Sequence, residues 1–134
     1  MVIKLFPIIA ILSGMLNVAD GNAFTSLSFT NALAVGKEEN KPVIVKFEAD
    51  WCQFCKLMDT NSFSDDRVIR KMEDFIVIKV NVETPEGRVL VNRYKVRGLP
   101  TLIGLNPEGK LIYRRAGYQS PEKLIKSLVA INEK

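Results

Sequence analysis

From residue 29 onward, apolar positions follow two alternating rhythms, one of helical spacing and one of strand-like runs. Phe29, Ala32, Leu33 and Gly36 recur at helical spacing, and Asn40-Lys41-Pro42 stops the pattern, which predicts a helix over Phe29 to Glu39. Val43 to Ala49 is rich in β-branched and aromatic residues and reads as a strand, with Val43, Val45, Phe47 and Ala49 on one face and Lys46 and Glu48 on the other. Gln53 to Asn61 and Asp65 to Glu73 read as helical pieces. Between them lies Ser62-Phe63-Ser64, a kink or a loop whose serine can cap the second piece. Phe75 to Val82, apolar except at Lys79 and Asn81, has the character of a buried parallel strand. A helix over about Pro85 to Tyr94 follows, with Pro85 in its first turn. Thr101 to Leu105 and Leu111 to Arg115 flank the turn-rich Asn106 to Lys110, the pattern of an antiparallel hairpin. Ser120-Pro121-Glu122 opens a last helix with an apolar stripe of Leu124, Ile125, Leu128 and Ile131.

Residues 1–23 follow neither rhythm. Lys4 precedes the apolar segment Leu5 to Leu16, and Gly21-Asn22-Ala23 supplies small residues suited to signal peptidase, so a secretory signal peptide cleaved near Ala23 is expected. Pro7, Ser13 and Gly14 interrupt the segment, which is short for a membrane span; an uncleaved anchor is the alternative. No cysteine stands at its end, near the expected cleavage site, so no lipoprotein anchor is expected. Cleavage there leaves 111 of the 134 residues, room for a single domain over residues 24–134. Lys and Arg number 19 against 15 Asp and Glu, a net charge of +4 that survives the loss of Lys4 and Asp20. The basic residues are scattered among acidic ones, as on a solvated surface, and no nucleic-acid partner is expected.

The chemistry concentrates in Trp51-Cys52-Gln53-Phe54-Cys55-Lys56, which holds the chain's two cysteines directly after the first predicted strand. Unpaired N–H groups at a helix start favour a thiolate, so Cys52 is expected to be an exposed nucleophile. Cys55, almost one helical turn on, is placed to resolve a mixed disulfide formed at Cys52. With no histidine in the chain, Cys-His and Ser-His-Asp catalysis are excluded. Two cysteines do not complete the usual zinc site, and no metal or other cofactor is expected. The alternative is a fixed structural disulfide closing a very small loop, which would constrain the unfolded chain only weakly.

The order of elements, Trp51-Cys-x-x-Cys55-Lys56 and Gly98-Leu99-Pro100-Thr101 together resemble the thioredoxin superfamily over nearly all of residues 24–134. Within it, Ala49-Asp50-Trp51-Cys52, Asp59 and Phe63-Ser64-Asp65 are most similar to the C-terminal periplasmic domains of the DsbD type. The resemblance implies an α/β thioredoxin-like fold, a central mixed β-sheet flanked by helices. It also implies a cis Leu99–Pro100 bond that presents the Leu99 backbone beside Cys52 for pairing with an extended substrate. Read without the resemblance, Pro100 is an ordinary proline at the start of a strand. Trp51 belongs to the same active-site motif. Lys46 departs from the family pattern, because many thioredoxin-like reductases carry a buried aspartate there, beneath the dithiol, that assists proton transfer. Asp59 corresponds to a second acidic position and is a candidate to take over that proton handling. Alternatively, Lys46 pairs with Glu48 or Asp59 and snorkels to solvent.

The function these readings support is a periplasmic or otherwise secreted thiol-disulfide oxidoreductase, acting mainly as a reductase of disulfide-bearing proteins and fed by an upstream thiol donor. A monomer without stable membrane insertion after signal cleavage is expected. An oxidase or isomerase is the alternative, since the same dithiol works in either direction according to its potential. Gln53-Phe54 lacks the Pro-His dipeptide of strong oxidases, and no isomerase-type dimerisation domain is expected. A binding module or copper chaperone is a third reading, as two thiolates hold Cu(I), but only Met58 stands near as a further soft ligand.

Overall fold

A computed structural model describes residues 24–134; the signal segment expected over residues 1–23 lies outside them. In chain order the described elements are α1 (Phe29–Glu39), β1 (Val43–Glu48), α2 (Gln53–Asn61), α3 (Asp66–Met72), β2 (Ile76–Asn81), α4 (Pro85–Tyr94), β3 (Thr101–Leu105), β4 (Leu111–Ala116) and α5 (Pro121–Asn132). The strands form one mixed sheet in the order β2-β1-β3-β4. β1 runs parallel to β2 and antiparallel to β3, and β3 pairs antiparallel with β4 through the predicted hairpin.

Strand periodicity sorts the core into two layers. Val43, Val45 and Phe47 of β1 join Ile76, Ile78 and Val80 of β2, Ile103 and Leu105 of β3, Phe29 and Ala32 of α1 and Leu90 of α4. On the other face Ile44, Val77 and Leu102 pack with Met58 of α2, Val68 and Met72 of α3, and Leu124, Leu128 and Ile131 of α5. Because helices cover both faces, β1 is buried on both, and its polar Lys46 has no solvated face to occupy.

Local chemistry sets the ends of the helices. Ser28, Thr84 and Ser120 each accept a backbone N–H from three residues on, and Pro85 and Pro121 sit in the first turns of α4 and α5. The break between α2 and α3 is a loop, and its serines do not cap α3. Ser62 Oγ donates to the Gln119 carbonyl 2.5 Å away, and Ser64 Oγ donates back to the Thr60 carbonyl. The cap is Asp65, whose carboxylate accepts the Arg67 backbone N–H at 2.9 Å. β1 ends at Glu48 rather than Ala49, because the Ala49 carbonyl turns to accept the Cys52 N–H. α4 reaches the end of β2 through Gly87, where a Cβ would stand 1.9 Å from the Asn81 carbonyl oxygen. The loop after β2 is held beside the end of β1 by the Val82 N–H donating to the Glu48 carbonyl at 2.9 Å.

Arg67 binds Asp65 through Nε at 3.0 Å and Nη2 at 2.9 Å, and Nη2 also reaches Glu122 of α5 at 3.2 Å. The Arg67 side chain holds the Asp65 carboxyl down, from 3.8 to about 2. A carboxylate depressed on folding contributes stability that is present above its ordinary range and is lost as pH falls through about 2. The stability difference between the wild type and Asp65→Asn is therefore expected to be constant near neutral pH and to shrink towards zero below about pH 4, read by denaturant unfolding of both proteins across pH.

Candidate active site at the start of α2

The Ala49 carbonyl accepts the Cys52 N–H at 3.1 Å, which turns the chain out of β1. Cys52 is then the N-cap of α2, with extended backbone (φ −82°, ψ 102°), and its Sγ accepts the Cys55 N–H at 3.2 Å. The two cysteines are joined in a disulfide, with Cα atoms 5.3 Å apart. They pack with Ala49 against Val82 and Leu99. In this oxidised form the exposed nucleophile expected at Cys52 is instead a buried residue, 5% accessible against 1% for Cys55. The disulfide and its apolar neighbours withdraw Cys52 from solvent, although it keeps the larger exposure of the two.

The surface around the pair is apolar: Trp51 is 65% exposed and Phe54 62%, with Leu57 also exposed one turn beyond Phe54. Trp51 is held from one side, its Nε1–H donating to Glu83 Oε1 at 2.7 Å. The sequence reading missed Glu83, which comes from the loop after β2 and carries no signal of its own. The Leu99–Pro100 bond is cis. Its loop is anchored by Thr101 Oγ1 donating to the Gly98 carbonyl at 2.6 Å and by the Gly117 N–H donating to the Pro100 carbonyl at 2.7 Å. Folding thus brings Leu99 against the cysteines across more than forty residues of chain.

Lys46 does not snorkel. Its side chain has no accessible surface. Its ammonium donates to Asp59 Oδ1 at 2.8 Å, to Glu48 Oε1 at 3.2 Å and to the Cys55 carbonyl at 3.2 Å. Three donors thus meet three acceptors. Parallel pairing of β1 with β2 puts Lys79 directly beside Lys46, and Lys79 Nζ reaches Asp59 Oδ2 at 2.9 Å and Glu48 Oε1 at 3.9 Å. Each Asp59 oxygen therefore serves one lysine. Aromatic rings line the network: Phe63 lies with its centroid 5.7 Å from Lys46 Nζ, and Phe24 lies 4.4 Å from Lys79 Nζ and 4.7 Å from the Phe63 ring. Lys79, Phe63 and Phe24 were not among the expected site residues. Lys79 had a faint signal, its strand parity matching that of Val77 on the α2 side.

Among the described residues, no group of three or more His, Cys, Asp or Glu side chains is placed to hold a metal, and no helix is long and apolar enough to cross a membrane. A family described as a thioredoxin-like domain matches residues 29–132. The thiol:disulfide interchange protein DsbD of Campylobacter jejuni (strain RM1221) is 36% identical over 90 residues, which are 66% of this chain and 16% of that protein. The chain thus spans only a small part of the length of this curated relative. A thioredoxin from Thermus thermophilus aligns with a TM-score of 0.72 at 33% identity, covering 78% of this chain and 83% of its own. The C-terminal domain of DsbD from Neisseria meningitidis, in its reduced form, aligns with a TM-score of 0.63 at 28% identity, covering 75% of this chain and 90% of its own.

Because Trp51 is the chain's sole tryptophan, its tether can be read directly. Glu83→Ala is expected to lower the steady-state fluorescence anisotropy of Trp51 by freeing the indole. Unfolding stability should change by no more than about 0.5 kcal/mol, since both side chains are exposed.

Proposed function

The chain belongs to the thioredoxin-like family and is a thiol-disulfide oxidoreductase with a Cys52–Cys55 pair, and from that premise we propose that it works mainly as a reductase of protein disulfides in the periplasm or another secreted compartment. The observation that carries the dithiol chemistry is the position of Cys52 as the N-cap of α2, its Sγ receiving the Cys55 N–H; the reducing direction rests on the likeness to DsbD proteins. In the reduced protein the same N–H and the helix start favour the Cys52 thiolate.

That thiolate attacks one sulfur of a substrate disulfide, forming a bond from Cys52 to substrate and releasing the other substrate sulfur as a thiolate that takes up a proton. Cys55 then loses its proton and attacks Cys52 Sγ, which closes the protein disulfide and releases the second substrate thiol. Two electrons pass from protein to substrate, and an upstream dithiol donor restores them.

Trp51, Phe54 and Leu57 offer the apolar surface on which such a substrate rests, while the loop of Leu99 and Pro100 offers backbone beside the cysteines. Likeness to DsbD proteins and the absence of a Pro-His dipeptide between the cysteines support the reducing direction. The apolar segment Leu5 to Leu16, read as part of a cleaved signal over residues 1–23, supports export, with residues 24–134 acting as a monomeric domain.

In the presence of dithiothreitol the protein is expected to accelerate insulin reduction, and its potential against glutathione should be more negative than that of glutathione itself. Catalysed thiol oxidation without insulin reduction would overturn the reducing role. In extracts, Cys55→Ser should accumulate mixed disulfides at Cys52, and Cys52→Ser should capture none. Mass-spectrometric adducts at Cys55 alone, in Cys52→Ser, would reverse the two roles.

A further inference from the structure

We propose that Lys46, Asp59, Lys79 and Glu48 form a charge-balanced network beneath the first turn of α2 that sets how readily the Cys52–Cys55 pair is reduced, with Lys46 as the positioning residue that ties the network to Cys55. The proposal rests on the reading of the two cysteines as the redox pair. Lys46 is a fully buried cation on the central strand, on the face of the sheet that Ile44, Val77 and Leu102 otherwise line with apolar side chains.

Two lysines and two carboxylates sum to zero charge, and the contacts leave little slack. Lys46 spends one N–H on each of Asp59, Glu48 and the Cys55 carbonyl, so none remains to serve as a proton donor to a cysteine sulfur. It acts on the dithiol through the backbone of Cys55 and through its field. Lys46 has no accessible surface and the buried Phe63 lies against it, so that field is screened much less than at an exposed site. Deleting any one of the four charges leaves an unbalanced unit charge in a network hydrogen-bonded to the backbone of Cys55, one of the two cysteines of the redox pair. A net negative network disfavours the thiolate and hence the reduced form; a net positive one favours both.

The readout is equilibrium with glutathione. Two glutathione thiols supply two electrons and two protons to the Cys52–Cys55 disulfide, giving the dithiol and one glutathione disulfide. Where Cys52 stays a thiolate, its proton goes to solvent. Lys46→Met leaves the network at minus one and should shift this equilibrium about tenfold towards the protein disulfide, roughly 30 mV for a two-electron couple. Asp59→Asn leaves it at plus one and should shift the equilibrium by a similar factor towards the dithiol. The double variant is neutral again and should return to within about threefold of the wild type. Thiolate absorbance against pH should move with the same signs.

Lys79→Met, at a partly exposed member, also leaves minus one, and should shift the constant in the direction of Lys46→Met by a smaller factor. If Lys46→Met does not fold, Lys79→Met, Asp59→Asn and their double variant carry the same test of sign and cancellation. A lysine that only secures the helix would change the unfolding midpoint and leave the glutathione constant unmoved. Shifts of the same sign, no shift beyond about twofold, or failure of the double variant to cancel would each overturn the network as the source of the potential. A wild-type protein that does not exchange with glutathione at all would instead overturn the redox reading itself.

Discussion

An ammonium group buried in the middle of a sheet can persist only if every one of its N–H bonds finds an acceptor, and Lys46 imposes that condition on everything around it. Register makes the condition harder, because parallel pairing sets Lys79 beside it on the same face, two like charges on adjacent strands. Asp59 answers both lysines, one oxygen each, and Glu48 and the Cys55 carbonyl complete the set. Removing one partner of a buried ion pair costs on the order of 3–5 kcal/mol, comparable with truncating a buried leucine to alanine. The apolar contacts of Met58 alone would let α2 slide or rotate on the sheet. The ion pairs specify one placement, and Asp59 and Cys55, four residues apart on one helical face, are fixed by the same contact.

The placement of α2 in turn fixes the chemistry. Its first residue follows a turn closed between Ala49 and Cys52, so the Cys52 sulfur meets the free N–H of Cys55 at the helix start. The other walls of the site come from distant parts of the chain. Glu83 arrives from the loop after β2, which the Val82 N–H ties to the Glu48 carbonyl at the end of β1, and Leu99 arrives on the loop that leads into β3. The two faces of the sheet divide the labour: the face under α1 and α4 is continuous apolar packing, while the face under α2 and α5 interrupts its packing with a buried ammonium bound to the Cys55 carbonyl.

Much of the fold was legible in the chain because local rules agree with the tertiary outcome. α1, α2, α4 and β3 have the limits that spacing and stop signals predict, and the other elements differ by a residue or so at their ends. The cysteine pair at a strand-to-helix junction was equally legible, since two adjacent patterns and a spacing of three define it. The identity of the α3 cap was not, because Ser62 and Ser64 were equally good candidates until their hydroxyls found carbonyls elsewhere. Nor was the burial of Lys46, whose alternation with Val45 and Phe47 is equally the pattern of a strand with one wet face.

The sequence by itself therefore determined what depends on neighbours along the chain: where helices and strands run, which faces are apolar, and that a dithiol sits at a helix start. Tertiary structure decided what depends on register and on which elements cover each face. Only when β2 pairs with β1 does Lys79 come beside Lys46, and only when α2 packs over both does Asp59 become the acceptor they share. The physical reason is that a charge's partners are set by distance in space, and a sequence of alternating residues fixes which side of a strand a lysine takes but not what lies on that side.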